Sequence, residues 1–389
     1  MSFQAAEEKG GLSEVAVAVL WVNFGHYHLA RLAALNEVLK VRGIELAPFQ
    51  RHYGWKVSRE ALAGVITTLS EGAYEDQRTL ALCVGVWRAL SREKPRIVLV
   101  PGYSAGPPIT AAVWCWAHGA KAVLLSESTF ADYPRQAWRE WLKRCLVRTL
   151  FTFALVGGKR TRDYVRTLGI PSSRTFRYYD VVDNEYFAAG TAALRRTQDA
   201  EKYRLPRNYF LFVGRLAPEK NVVTLIDAFA HYRSGGGDWE LVLVGEGTLR
   251  KELTSAAQQS GQAATVHFAG FQNGDELLPY YAFAGCLILP STREPWGLVV
   301  NEAMTSGLPV LVSRNCGCSE DLVVEGENGF AFDPHDRGQL AALMAEMASS
   351  GCGARALLGM RSRQIIAEYS PGAFASEVRR LLQLEDIDT

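Results

Sequence analysis

The sequence predicts an α/β protein of two doubly wound, parallel-sheet domains facing a central cleft. Three observations carry this. Apolar runs of strand length alternate with amphipathic runs of helix length from end to end, the pattern of successive βαβ units. The chain has 389 residues, more than one core ordinarily serves. The alternation breaks once, at the charge-rich stretch 190–207, and a second strand–helix series begins at Tyr209. The expected division is an N-terminal domain over 1–189, a linker over 190–207, a C-terminal domain over 208–367 and a closing helical segment over 368–389.

Taken in order, 15–21 is a continuous apolar run and reads as a buried strand, followed by a loop at 22–27 and a helix over 28–41. Further strands are expected at 44–49, 96–100, 120–125 and 151–156. Pro107 and Pro108 suit the first turn of a helix over 109–118, where a missing N–H costs nothing. In the second half an apolar strand ends at Gly214, and Val222, Val223, Leu225, Ile226 and Phe229 recur at helical spacing after it. Gly235–Gly236–Gly237 is a surface turn ending that helix. A strand over 286–290 precedes Glu294, and Gly297 should open a helix that contains Glu302. Phe374, Val378, Leu381 and Leu382 give the closing segment one apolar helical face. No repeat of 20–50 residues is present.

Composition excludes several classes. Basic and acidic residues nearly balance, 42 against 41, which argues against bulk electrostatic binding of nucleic acid. No apolar run reaches the length of a membrane span. The first residues are polar and acidic, unlike a signal peptide, so a cytoplasmic location is expected. Seven scattered cysteines fit reduced thiols better than a disulfide framework. Cys316–Gly317–Cys318 lacks a second ligand pair at metal spacing and reads as structural. Asp386–Ile387–Asp388 follows no strand and reads as a frayed terminus, not a metal site.

Two motifs carry chemistry. Glu294-x7-Glu302 straddles an expected helix N-terminus, whose unpaired N–H groups and partial positive charge suit a phosphate. Gly297 lets backbone approach an anion. Alone, that spacing is common in helical proteins. Upstream, Gly214-Arg215-x4-Lys220 places two cations in the loop at the carboxyl end of a strand, where open α/β sheets bind ligands. Read alone, the two cations fit a solvated loop better than a ligand site.

Together with Leu241–Gly247, Gly270–Phe271, Leu289–Pro290–Ser291 and Gly307–Leu308–Pro309–Val310, these segments resemble the retaining glycosyltransferases of family 4, which have the GT-B fold. The resemblance is specific over roughly 205–335 and loose before residue 200. It implies transfer of a hexose-type sugar from a nucleotide-sugar to a hydroxyl of a saccharide or lipid-linked acceptor, with retention at the anomeric carbon. It also implies that the closing helix crosses back onto the N-domain. Arg215 and Lys220 are then diphosphate ligands that stabilise the departing nucleotide without a metal or other cofactor. Glu294 binds sugar hydroxyls and joins them as a catalytic residue. Gly297, Leu298 and Val299 offer backbone N–H groups. Trp296 stands where most relatives have Phe, and Glu302 accepts from the ribose hydroxyls. Gly245, Gly270 and Phe271 flank the base. UDP is favoured over GDP because no acidic side chain stands at Gly270–Phe271–Gln272 to grip a guanine edge.

On the acceptor side, Gly25 matches a family glycine near the donor phosphate, and His26, Tyr27 and Tyr103 sit in loops that can line the cleft, as do Tyr53 and Trp55. His28 begins the first helix and is a weaker candidate. Many relatives carry a histidine where this chain has Leu124–Phe130. Here Glu127 and Ser128 are the polar candidates, and the departure puts the donor sugar in doubt. The family's front-face mechanism lets the donor's own phosphate take the acceptor proton. The basic helix 135–148, with Trp138, Trp141, Leu142, Cys145 and Leu146 on one stripe and Arg139, Lys143, Arg144 and Arg148 on another, admits two readings. The preferred one packs the Trp stripe onto the sheet; the other lays it on anionic lipid, making the enzyme peripheral at the membrane. Competing functions are a non-catalytic nucleotide-sugar binder of the same fold and a GT-B phosphorylase or epimerase. No Schiff-base lysine motif supports a pyridoxal-phosphate phosphorylase.

Overall fold

The computed structural model describes residues 15–51, 60–132, 135–197 and 200–388. Tyr53 and Trp55 lie outside the described residues. The first domain runs β1 (Val17–Trp21), α1 (His26–Val38), β2 (Val41–Glu45), β3 (Ile66–Thr68), α2 (Thr79–Glu93), β4 (Ile97–Pro101), α3 (Gly106–His118), β5 (Lys121–Ser126), α4 (Ala137–Leu150), β6 (Phe153–Val156), α5 (Lys159–Thr167) and β7 (Thr175–Phe176). The strands form one parallel sheet in the order β3-β2-β1-β4-β5-β6-β7. Alternation along β1 shows why an all-apolar strand is needed. Val17, Val19 and Trp21 face a core shared with α1, while Ala18 and Leu20 face one shared with α2, α3 and α5. Pro107 and Pro108 occupy the first turn of α3, as expected. The strand expected at 44–49 lies earlier, at β2, and β3 and α2 had no counterpart in the sequence reading.

The second domain continues with α6 (Asn184–Thr197), β8 (Tyr209–Val213), α7 (Val222–Ser234), β9 (Glu240–Val244), α8 (Arg250–Gln259), β10 (Val266–Gly270), α9 (Leu278–Phe283), β11 (Cys286–Leu289), α10 (Leu298–Thr305), β12 (Val310–Ser313), α11 (Ser319–Leu322), β13 (Gly329–Phe332), α12 (Arg337–Ser349), α13 (Cys352–Ile366) and α14 (Pro371–Asp388). Its six parallel strands are ordered β10-β9-β8-β11-β12-β13. α14 packs against α1, so the chain does return to the first domain.

Two expectations are corrected. The stretch 190–207 is not a plain linker: it is helical through Thr197 as the end of α6. That helix is docked on the second domain, with the Arg195 guanidinium donating to the carbonyls of Tyr281, Ala282 and Ser306. Nor does α4 pack its tryptophans inward. Val147 is its one buried residue, and Trp138, Trp141 and Leu142 face solvent. The apolar residues recur at helical spacing as read, but they face solvent.

The domains meet along a seam. Trp296, 2% exposed, lies over Gly157 and Gly158 at the end of β6, where a Cβ would fall within 2.9 Å and 2.6 Å of its ring. The Asp321 carboxylate, wholly buried, accepts the N–H of Lys159 at 2.9 Å and faces Arg177 at 3.5 Å. Arg160 pairs with Glu320 at 2.7 Å. Asn184 donates its side-chain amide to the carbonyls of Ile366 and Tyr369 at 3.1 and 3.2 Å, tying the outgoing chain crossing to the returning one.

Candidate active site in the interdomain cleft

The loops after β8 and β11 are bolted together. Asn221 takes a left-handed conformation and donates to the carbonyls of Pro290 and Pro334, and the N–H of Thr292 donates to the Glu219 carbonyl at 2.9 Å. This docking carries Lys220 onto Glu294, and the two form a close ion pair with both side chains mostly shielded. The Ser291 hydroxyl donates to the same carboxylate at 3.2 Å. Gly297, at φ 108°, caps α10 next to them, a conformation that favours glycine. Leu298 and Val299 form the first turn, half-buried, at the phosphate-attracting end of the helix. Arg215 is not part of this knot. Its side chain is 64% exposed and paired with Glu219 at 2.9 Å.

Glu302 lies inside α10 and is 1% exposed, which removes the reading of a surface charge. Its two oxygens accept from the hydroxyls of Tyr27 and Tyr281, each at 2.5 Å. Burial pushes its carboxyl up to about 7, against the pull of the two phenols. Tyr27 comes from the first turn of α1. The expected acceptor ligand therefore reaches across the cleft to the expected ribose ligand.

Trp296, expected among the donor ligands, instead fills the seam, its indole N–H donating to Asn301 at 3.0 Å. Its aromatic bulk serves domain contact. Gly245 is likewise explained by packing: a Cβ there would sit 1.9 Å from the Gly214 carbonyl oxygen. Gly247 closes against Leu216 in the same way. Gly270, at φ 75°, and the half-exposed Phe271 border the open side of these loops. The argument for UDP missed a neighbour. A Cβ on Gly270 would lie 3.4 Å from Oε1 of Glu246, so a carboxylate does stand at this edge, paired with Arg250 at 3.2 Å.

On the facing domain the loop 22–25 is held by the N–H of Phe24 donating to buried Glu45 at 2.9 Å. Gly25 caps α1. His26 turns toward Asn273 and Asp275 of the other domain, and burial lowers its pKa. His28 is interior, 4.6 Å from the Trp21 ring, and burial and Arg31 hold it well below the usual range.

Glu127 does face the cleft, open to solvent on one side and ringed by carboxylates. It lies beside Asp180, which is 1% exposed and pressed against Gly157. Burial, then the adjacent Glu127, raises Asp180 well above the carboxylate range, and burial raises Glu127 too. Arg31, 2% exposed over the Tyr179 ring at 4.7 Å, opposes both shifts. Glu127 also feels the charge of Glu294 across the cleft. Ser128 is half-buried beside it, its N–H donating to Ser126. Tyr103 lies beside Tyr164, whose hydroxyl joins Arg135 and Glu140 in a network at the foot of α4. Arg31, Asp180 and Tyr281 were not read from sequence, and Glu246 was read only as part of the Leu241–Gly247 motif. Each is a lone polar residue in an apolar or loop segment, and only the fold brings it to the cleft. Among the described residues no three His, Cys, Asp or Glu side chains converge as metal ligands.

Residues 195–365 match the family model described as Glycosyl transferases group 1. The structure of HepE from Anabaena in complex with UDP and glucose superposes with a TM-score of 0.73, covering 95% of this chain and 100% of that one at 17% identity. The fold is GT-B. Two curated relatives extend the comparison to this GT-B chain. The alpha-D-kanosaminyltransferase of Streptomyces kanamyceticus is 28% identical over 58% of this chain and 58% of its own. The GDP-mannose-dependent alpha-mannosyltransferase of Corynebacterium glutamicum is 31% identical over 53% of this chain and 46% of its own. The chain thus spans about half the length of the curated relatives it matches.

Proposed function

We propose that this GT-B chain is a retaining glycosyltransferase that moves a hexose-type sugar from a nucleotide-sugar to a hydroxyl of a saccharide or glycolipid. The observation that carries this is the Lys220–Glu294 pair at the Gly297 end of α10. Without donor, the phosphate-binding cation and the sugar-binding carboxylate neutralise each other. A diphosphate takes Lys220 and the first amides of α10, which releases Glu294 to accept from sugar hydroxyls. Arg215, exposed and paired with Glu219, swings in to add a second cation. These groups stabilise the charge on the departing nucleotide in place of a metal.

In the front-face step, the bond from the anomeric carbon to the leaving phosphate oxygen breaks on the face where the acceptor oxygen bonds. The acceptor's proton passes to that phosphate oxygen. Glu127 and Ser128 line the acceptor side. Glu302 retains acceptor capacity beyond its two phenols, and ribose hydroxyls engage it as Tyr27 yields. A cytoplasmic location, at the membrane surface for a lipid-linked acceptor, belongs to this reading; no described helix is long and apolar enough to cross a membrane.

The test is nucleotide release from a panel of UDP- and GDP-sugars with saccharide and glycolipid acceptors, with anomeric configuration read by NMR. Donor binding without release under any acceptor would make the chain a non-catalytic binder, and inversion would end the front-face mechanism. UDP is the first reading for the base. Glu246 favours GDP as a second, because a carboxylate accepts from both donors on the guanine edge, and one relative is GDP-mannose-dependent. A thermal-shift comparison of UDP with GDP, repeated in Glu246→Gln, separates them.

A further inference from the structure

We propose that the outer face of the N-domain, built by α2, α3 and α4, docks on an anionic lipid bilayer. The proposal does not depend on the transferase reading. Nine tryptophans occur in the chain. Trp21, Trp114, Trp239 and Trp296 are buried, whereas every exposed tryptophan among the described residues (Trp87, Trp116, Trp138 and Trp141) lies on these three helices. The last three are 68%, 61% and 64% exposed. Leu80 and Val84 precede Trp87 on one exposed stripe of α2, and Leu142 joins Trp138 and Trp141 on α4. α3 packs between α2 and α4, so the face is roughly 20 Å across at ordinary helix spacing. An apolar face of this breadth on a soluble domain marks an interaction site.

Charge selects the partner. The three helices carry Arg88, Arg92, Arg139, Lys143, Arg144 and Arg148 against two carboxylates, Glu93 and Glu140. Both carboxylates are already engaged: Glu93 with Arg42 and Arg92 at 3.4 and 3.0 Å, Glu140 with Lys143 at 2.7 Å. α3 has no Asp, Glu, Lys or Arg. The Arg139 guanidinium rests over the Trp138 ring at 5.2 Å. Tryptophan beside arginine is the chemistry of the headgroup layer, where the ring meets the acyl boundary and the cation meets lipid phosphate. A second copy of this chain is a poor occupant, since it would set cation against cation. The face is also close to the cleft: the segment after β5 that holds Glu127 leads directly into α4, and Arg135 donates back to the Thr129 carbonyl. A membrane-held acceptor would enter from this edge.

The experiment is co-sedimentation of the full chain with phosphatidylglycerol–phosphatidylcholine vesicles and with phosphatidylcholine alone, across salt. Binding is expected to the anionic vesicles, with a blue shift of tryptophan emission, and to fade as the Debye length shrinks below about 10 Å. Arg139→Glu, Arg144→Glu and Arg148→Glu together should weaken it roughly a hundredfold or more. Trp138→Ala with Trp141→Ala, and separately Trp87→Ala with Trp116→Ala, should each abolish the blue shift or weaken binding. All are exposed positions, and an unchanged melting temperature shows that the variants remain folded. No binding at low salt, equal binding to neutral and anionic vesicles, or concentration-dependent self-association through the tryptophans overturns the proposal. Indifference to the Trp87 and Trp116 changes overturns the three-helix face.

Discussion

Replacing Glu302 with glutamine tests the interior of the site through its pH dependence. The native carboxyl is buried against Tyr27 and Tyr281 and titrates near 7, while in the unfolded chain it titrates in the ordinary glutamate range. Between those values the folded protein holds a proton that the unfolded chain has lost. Stability contributed by that proton is therefore complete at low pH and is lost as pH rises toward 7. The slope is at most about 1.4 kcal/mol per pH unit, and the whole window is worth about 3 kcal/mol. For a domain of this size that is roughly 6–12 °C in Tm. Glutamine cannot titrate, yet it can still hydrogen-bond both phenols. The assay is Tm against pH from about 5 to about 8 for both proteins, with the difference taken at each pH. Asp180 and Glu127 are shifted in the same direction, but both proteins contain them, so their effect cancels. The native protein should lose stability with rising pH relative to Glu302→Gln. Parallel curves, or a native protein that gains, would refute the burial argument.

Three further expectations rest on the same geometry. Lys220→Ala should lower turnover by on the order of a hundredfold, and Arg215→Ala by less, since Lys220 is shielded beside Glu294 and Arg215 is largely in solvent; steady-state kinetics that reverse this order would move the diphosphate off Lys220. Activity should persist in EDTA, and a strict requirement for added magnesium or manganese would replace the two-cation account. Gly245→Ala should lower Tm and expression, because its Cβ would sit 1.9 Å from the Gly214 carbonyl and at a left-handed φ; unchanged unfolding would show that the two loops separate freely.

Legibility followed the range of the interactions. Although β3 and α2 were missed, most of the order of strands and helices was readable because each is a local pattern. So was the Glu294–Lys220 region, where several short motifs coincide in sequence. Direction and partnership were not. The apolar stripe on α4 reads identically whether it faces a sheet or water. Trp296 has the spacing of a ligand, and only the approach of Gly157 and Gly158 shows what it covers. Tyr27 and Glu302 are 275 positions apart, and no local pattern announces their bond. Glu246 escaped because the search for an acid followed the chain around Gly270, whereas the nearest one comes from the neighbouring strand's loop.

The bond of Asn184 to the carbonyls of Ile366 and Tyr369 gives the cleft a mechanical character. Two separate crossings would leave the halves free to bend only about the line between them. Knotted at one place, they behave like the rivet of a pair of pliers. Opening then grows with distance from the rivet, and the Tyr27–Glu302 bond lies near it, since Asn301 donates to the Asp180 carbonyl at 3.0 Å and the Phe187 ring meets that of Tyr281 at 5.9 Å. A substrate group entering there works against a short lever. Strain applied at Asn184 would be felt as a change in gape at the edge of the cleft farthest from it.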